Sequence, residues 1–154
     1  MKISELLNER LIKIGLVGAE KEEVFEELLD LLLRERLIGD RRAAHSAILD
    51  REKKQSTGIG YGVAIPHGKS GTVKQLCAAL GVSKSGVEYE SLDEEPVHVV
   101  FMLLAEENKP GPHVMALAQI ATLFKVPGFI DQLVAAKTAK ELYDMVVAEE
   151  EKET

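Results

Sequence analysis

The chain has 154 residues, a hydrophobic share of 45%, a charged share of 29% and a formal net charge of -7, the balance of one globular domain with a single core rather than a disordered segment. That charge and the lack of a basic stripe exclude a nucleic-acid backbone as partner. One cysteine, Cys77, excludes an internal disulfide framework and a cysteine-rich zinc site; set in VKQLCAALGV, it reads as a small buried hydrophobe.

From the N-terminus, MKISELLNERLIK carries too many charges for a signal peptide. Residues 2–9 suit a short helix, and RLIKIGLVG suits a strand stopped by glycine. AEKEEVFEELLDLLLRERLIG has helical spacing. Val24, Leu28, Leu31 and Leu32 share a face, acids crowd its start, Arg34 and Arg36 sit at its end, and Gly39 is placed to close it. Asp40 is placed to cap a second helix, RRAAHSAILDREKK. A glycine-rich segment follows, GIGYGVAIPHGKSG, with GVAIP as a short strand.

KQLCAALGVS and VHVVFMLLA read as strands, the second buried, with SLDEEP as a turn between them. VHVVFMLLA is the longest apolar run and is too short to span a membrane. NKPGP breaks the chain. HVMALAQIATLFK is then a helix offering Met115, Ala118, Ile120 and Ala121 for packing. Pro127 is placed to open PGFIDQLVAA, and Thr138 with Glu141 forms a capping-box signature for AKELYDMVVAEE. The acidic end, about 149–154, is expected to fray. Strands alternate with helices throughout, which predicts a single α/β domain over residues 1–154, a mixed sheet flanked by helices on both faces. Sites in such folds lie at strand ends and on the loops that follow. The glycine segment falls in such a place.

Two nucleotide-binding motifs fail there. A P-loop needs a glycine five positions before Gly68, which is Val63, and Pro66 removes an N–H from the cradle. A dinucleotide fingerprint opening at Gly58 and Gly60 also needs glycine at Val63. Metal is not indicated, because His45, His67, His98 and His113 are far apart and no H-E-x-x-H occurs. No cofactor is expected.

Two readings of His67 remain. It is an ordinary residue of a Gly/Pro turn, or it is a nucleophile that carries a phosphoryl group on a ring nitrogen. Glycines would let backbone N–H groups approach the phosphoryl oxygens, and Pro66 would hold the backbone before the histidine. His45, mid-helix, reads as a helix-surface residue, and His98 as a strand residue satisfied by packing or solvent.

The stretch R-E-x-x-x-S-T-G-I-G-x-G-V-A-I-P-H, Arg51 to His67, resembles the signature of enzyme IIA components of the bacterial phosphotransferase system, of the fructose/mannitol/nitrogen-regulatory type. The segment PVHVVFMLLAEENKPGPHVMALAQIATL resembles the same family, and the likeness extends over nearly the whole chain. The resemblance implies that His67 accepts a phosphoryl group, on Nε2, from the phosphocarrier HPr or its nitrogen-branch relative. It implies delivery to a cysteine of an enzyme IIB partner in fructose- or mannitol-class sugar uptake. The alternative is a nitrogen-regulatory module whose phosphorylation state selects protein partners. His113 matches a second active-site histidine that would hydrogen-bond the phosphoryl group. Arg51 matches an arginine near the active histidine, which would fork phosphoryl oxygens or pair with a partner's acid, the alternative being a solvated helix-end charge. Ser56 and Thr57 are caps or distant donors, and neither Lys69 nor Ser70 is assigned a role. A cytoplasmic, free-standing protein is expected, with no membrane insertion of its own.

Overall fold

A computed structural model describes residues 2–152. Two short 3-10 turns, Ile3–Leu6 and Glu9–Leu11, replace the expected first helix and lead into β1 (Ile12–Ile14). The chain continues with α1 (Lys21–Arg34), α2 (Arg41–Lys54), β2 (Gly58–Gly60), β3 (Val63–Ala64), β4 (His67–Lys69), β5 (Cys77–Val87), β6 (Val97–Ala105), α3 (Pro110–Phe124), α4 (Phe129–Ala135) and α5 (Ala139–Lys152).

The strands form one mixed sheet in the order β1-β5-β6-β3-β2, with β4 also paired to β6. β5 and β6 run antiparallel, while β3 and β4 lie parallel to β6 along successive parts of it, Val63 opposite Val99 and His67 opposite Leu103. β6 is therefore enclosed on both edges. Val97 and every residue from Val99 to Ala105 are buried, which is why its sequence is a continuous apolar run rather than an alternating one. Neighbouring side chains on β4 leave opposite faces: Gly68 meets α2 at Ala47, and His67 meets His113 of α3. Helices thus cover both faces, as the alternation of elements predicts.

Local chemistry sets the helix ends. Glu20 and Glu23 cap α1 reciprocally. Its end is not made by Gly39. Arg36 takes the left-handed conformation (φ 60°), with Leu37 N–H donating to the Leu32 carbonyl at 2.9 Å and Arg36 N–H to the Leu33 carbonyl at 3.0 Å, the double bond of a Schellman cap. Asp40 does cap α2, accepting from Ala43 N–H at 2.9 Å. Thr138 accepts from Glu141 N–H at 3.1 Å, while the Glu141 carboxylate reaches Lys137 N–H rather than that of Thr138.

Three expectations need correction. Pro110, Gly111 and Pro112 of the breaker cluster lie inside α3, with Lys109 as its N-cap, because prolines are tolerated in a first helical turn whose N–H groups lack intrahelical acceptors. α3 buries His113, Ala116, Ile120, Leu123 and Phe124, so of the predicted face only Ile120 is buried, and Met115 is 52% exposed. The acidic end stays helical to Lys152. Glu149 is buried, and the Glu150 carboxylate accepts from the N–H groups of Ile3 and Ser4, tying the two ends of the chain together. Residues 153–154 of the expected frayed tail lie outside the described residues.

Candidate active site

His67 opens β4, immediately after Pro66. Proline biases Ile65 toward extended backbone, and the Ile65 carbonyl comes within 2.8 Å of His67 Nδ1. A carbonyl only accepts, so Nδ1 carries the hydrogen and Nε2 keeps its lone pair. Nε2 has no protein partner and remains open to solvent. Burial, the largest effect, lowers the pKa of the ring, and Arg51 and Lys69 lower it further against the opposing Ile65 hydrogen bond and Glu52 charge. The half-buried imidazole is therefore neutral at pH 7.

A cavity of about 450 Å³ surrounds it, lined by α2 (Ala47, Asp50, Arg51, Lys54), β4 (His67, Gly68, Lys69) and the start of α3 (His113, Val114, Leu117). The structure thus brings together all three residues singled out by sequence. His113 stands in the first turns of α3 with its ring centroid 5.2 Å from that of His67 and the planes at 86°. It is 3% exposed, and neither ring nitrogen has a partner. Burial first, then the charges of His67 and Lys69, pull its pKa down to about 4. A buried, unpaired, neutral imidazole at a helix N-terminus is poised to donate to an anion. Arg51, in the last turn of α2, donates Nη1–H to the Gln55 carbonyl at 2.8 Å, which orients the guanidinium beside the cavity.

The glycines do not form a shelf of donors. Of Gly58, Gly60, Gly62, Gly68 and Gly71, only Gly68 lines the cavity. Tyr61 and Gly62 both have positive φ (60° and 80°) and turn β2 into β3, as a two-residue hairpin loop requires. A Cβ on Gly58 would lie 2.8 Å from Ser91 Cα. The cluster is packing and turn chemistry that delivers His67 to its place.

The other two histidines do not line the cavity, and His45 keeps a buried Nε2 without a partner. His98 Nδ1 donates to the Ser83 carbonyl at 2.9 Å, and His45 Nδ1 lies 3.3 Å from Glu26. Cys77 is buried, its thiol pKa pushed up to about 12. Thr57 is neither a cap nor a donor to the site. It bonds to Glu52, a buried carboxylate to which sequence assigns no role although both stand at fixed positions of the R-E-x-x-x-S-T stretch. Among the described residues no three His, Cys, Asp or Glu side chains converge to hold a metal ion, and no single helix is long and apolar enough to cross a membrane.

The mixed α/β sheet flanked by helices, with His67 at a strand end beside His113 and Arg51, has a fold that similar proteins share with this chain. The family model described as "Phosphoenolpyruvate-dependent sugar phosphotransferase system, EIIA 2" matches residues 5–148, and the chain belongs to that family, whose members are phosphotransferase components. It is 42% identical over 146 residues to the PTS system fructose-specific EIIABC component of Bacillus subtilis, a match covering 95% of this chain and 23% of that protein. The chain thus spans about a quarter of that relative's length. The crystal structure of nitrogen regulatory protein IIA-Ntr from Neisseria meningitidis superposes with a TM-score of 0.85 at 34% identity, covering 94% of this chain and 98% of that one. The Escherichia coli complex of enzyme IIA-mannitol with phosphorylated enzyme IIB-mannitol shares the fold, with a TM-score of 0.79 at 20% identity over 92% of this chain and 97% of that one.

Proposed function

We propose that this chain acts as one phosphoryl-carrying unit over residues 1–154, with His67 as the acceptor. The observation that supports it best is the tautomer. With Nδ1–H on the Ile65 carbonyl, Nε2 offers a lone pair to a phosphorus atom entering the cavity. The donor is a phosphohistidine of HPr or its nitrogen-branch relative. As the Nε2–P bond forms, the donor's N–P bond breaks and its electron pair stays on the donor ring. The proton on Nδ1 does not move, so the phosphorylated ring of His67 becomes imidazolium-like. The Ile65 carbonyl then accepts a charge-assisted hydrogen bond, a stabilisation that grows as the bond forms.

His113 donates an N–H to a phosphoryl oxygen, and Arg51 neutralises the remaining charge. Discharge runs in reverse. A cysteine thiolate of an enzyme IIB partner attacks phosphorus and the electron pair returns to Nε2. This route serves fructose- or mannitol-class sugar uptake in the cytoplasm. A second reading is favoured by the likeness to IIA-Ntr along 98% of that chain: the phosphorylation state of His67 switches binding to regulatory protein partners.

The test is intact mass after incubation with phosphoenolpyruvate, enzyme I and HPr, beside His67→Ala. One acid-labile phosphoryl group, absent from the variant, is expected. Equal labelling of His67→Ala would overturn the assignment. Discharge of the labelled protein by a IIB protein separates the transport reading from the regulatory one.

A further inference from the structure

Beneath the cavity lies a buried polar cluster that the phosphoryl chemistry above does not use. Glu52 of α2 is 6% exposed, Thr57 3% and Tyr89 1%. The Glu52 carboxylate accepts from Thr57 N–H at 2.8 Å and from Thr57 Oγ1–H at 2.6 Å. Tyr89 O–H lies 2.7 Å from Thr57 Oγ1 and 3.3 Å from Glu52. A carboxylate cannot donate, so the Thr57 hydroxyl proton points to Glu52 and the Tyr89 proton to Thr57. Lys21 of α1 balances the charge, its Nζ 3.5 Å from Glu52 and 5.5 Å above the Tyr89 ring. Every polar atom of Thr57 is thereby fixed.

The carbonyl of Thr57 accepts from Ile65 N–H at 3.0 Å, and the Ile65 carbonyl accepts from His67 Nδ1 at 2.8 Å. The chain of contacts is continuous: Lys21, Glu52, Thr57, Ile65, His67. The same clamp closes the chain after α2. Glu52 and Thr57 straddle Gln55, whose carbonyl holds Arg51 at 2.8 Å. Two site residues that face one cavity are thus referred to one buried carboxylate, although neither touches it.

We infer that Glu52, acting through Thr57, is a positioning residue that fixes His67 in its Nδ1–H tautomer with Nε2 free. The inference rests on the reading of His67 as phosphoryl acceptor for its functional meaning, but the tautomer is measurable without any phosphoryl transfer. Ion pairs or hydrogen bonds of this kind, satisfied on every atom, hold a geometry better than an apolar replacement would. Burial of Glu52 away from the cavity excludes a direct catalytic role.

The experiment is nitrogen NMR of His67 in the full chain, comparing the parent with Glu52→Gln, Thr57→Val and Thr57→Ser. The parent is expected to show a single Nδ1–H tautomer. Thr57→Ser keeps the hydroxyl and should retain it. Glu52→Gln and Thr57→Val should give a mixture of tautomers and slow phosphoryl acceptance about tenfold or more, the scale of a small misplacement of a reacting group, while NMR signals of α5 stay in place. Should Glu52→Gln not fold, the pair of Thr57 variants decides. Folded Thr57→Val with the parent's tautomer overturns the inference and leaves the cluster as a stabilising core element. If the parent itself accepts no phosphoryl group while the variants shift the tautomer, the positioning is upheld and the acceptor reading overturned.

Discussion

The rings of His67 and His113 meet at right angles, centroids 5.2 Å apart and planes at 86°. Two imidazolium charges at that distance would repel, and burial penalises both. The pKa of His113 is about 4 against an ordinary 6.5, and that of His67 is lowered too. The sign of the stability effect follows. Above pH 6.5 both folded and unfolded chains keep His113 neutral, and its full contribution is present. As pH falls from 6.5 toward 4 the unfolded chain binds a proton that the folded chain refuses, and stability drops by about 3 kcal/mol from this residue. His67 adds to the drop. Urea unfolding at about pH 7 and about pH 4.5 should show His113→Gln losing less stability on acidification than the parent. Equal losses would mean that His113 does not carry the effect.

Gly68 is the point where α2 rests on β4. A Cβ there would lie 2.8 Å from the Ala47 carbonyl carbon and 2.9 Å from its oxygen, both backbone atoms that no side-chain rotation relieves. Gly68→Ala should therefore push α2, and Arg51 with it, away from His67. A loss of about 1–3 kcal/mol is expected in denaturant unfolding, together with slower phosphoryl acceptance. Gly39→Ala is the control, since nothing lies within 4 Å of its added Cβ. Similar behaviour of the two variants would remove the packing explanation.

Glu150 caps the first 3-10 turn from the far end of the chain. Its carboxylate serves Ile3 and Ser4, which are 1% and 8% exposed. Glu150→Ala leaves two N–H groups without an acceptor, at a cost of about 1–3 kcal/mol. Thermal unfolding should shift downward while phosphoryl acceptance holds at the parent's rate, because Glu150 does not line the cavity. A slowed acceptance would show that the chain ends and the site are coupled.

The predicted elements were legible where one segment carries its own signal. VHVVFMLLA matches β6 and Asp40 caps α2 because apolar continuity and a side-chain cap are local properties. That His67, His113 and Arg51 share one cavity is legible through motif likeness, not through spacing. What escaped depends on contacts distant in sequence. The α3 face follows from which side meets the rest of the fold, and His113 is buried with Ala116 and Ile120 on that side despite its polarity. Glu149 and Glu150 read as tail until Ile3 and Ser4 arrive from the other end of the chain. The packing role of Gly58 and Gly68 is not legible in sequence, because a close approach to Ser91 or Ala47 leaves no local trace.

Arg51 tests the site most directly. One side of its guanidinium is anchored on the Gln55 carbonyl at 2.8 Å, and the rest borders the cavity beside His67 and Lys69. A charge anchored beside the reacting atom needs no reorganisation when phosphoryl oxygens arrive. Lysine keeps the charge but loses the planar fork and its anchor. Glutamine loses the charge. Rates of phosphoryl acceptance from phospho-HPr should fall roughly tenfold in Arg51→Lys and roughly a hundredfold in Arg51→Gln. Circular dichroism should be unchanged, since the side chain makes no buried contact that holds the fold. If Arg51→Gln accepts at the parent's rate, Arg51 is a solvated helix-end charge, and neutralisation falls to Lys69, with His113 donating only a hydrogen bond.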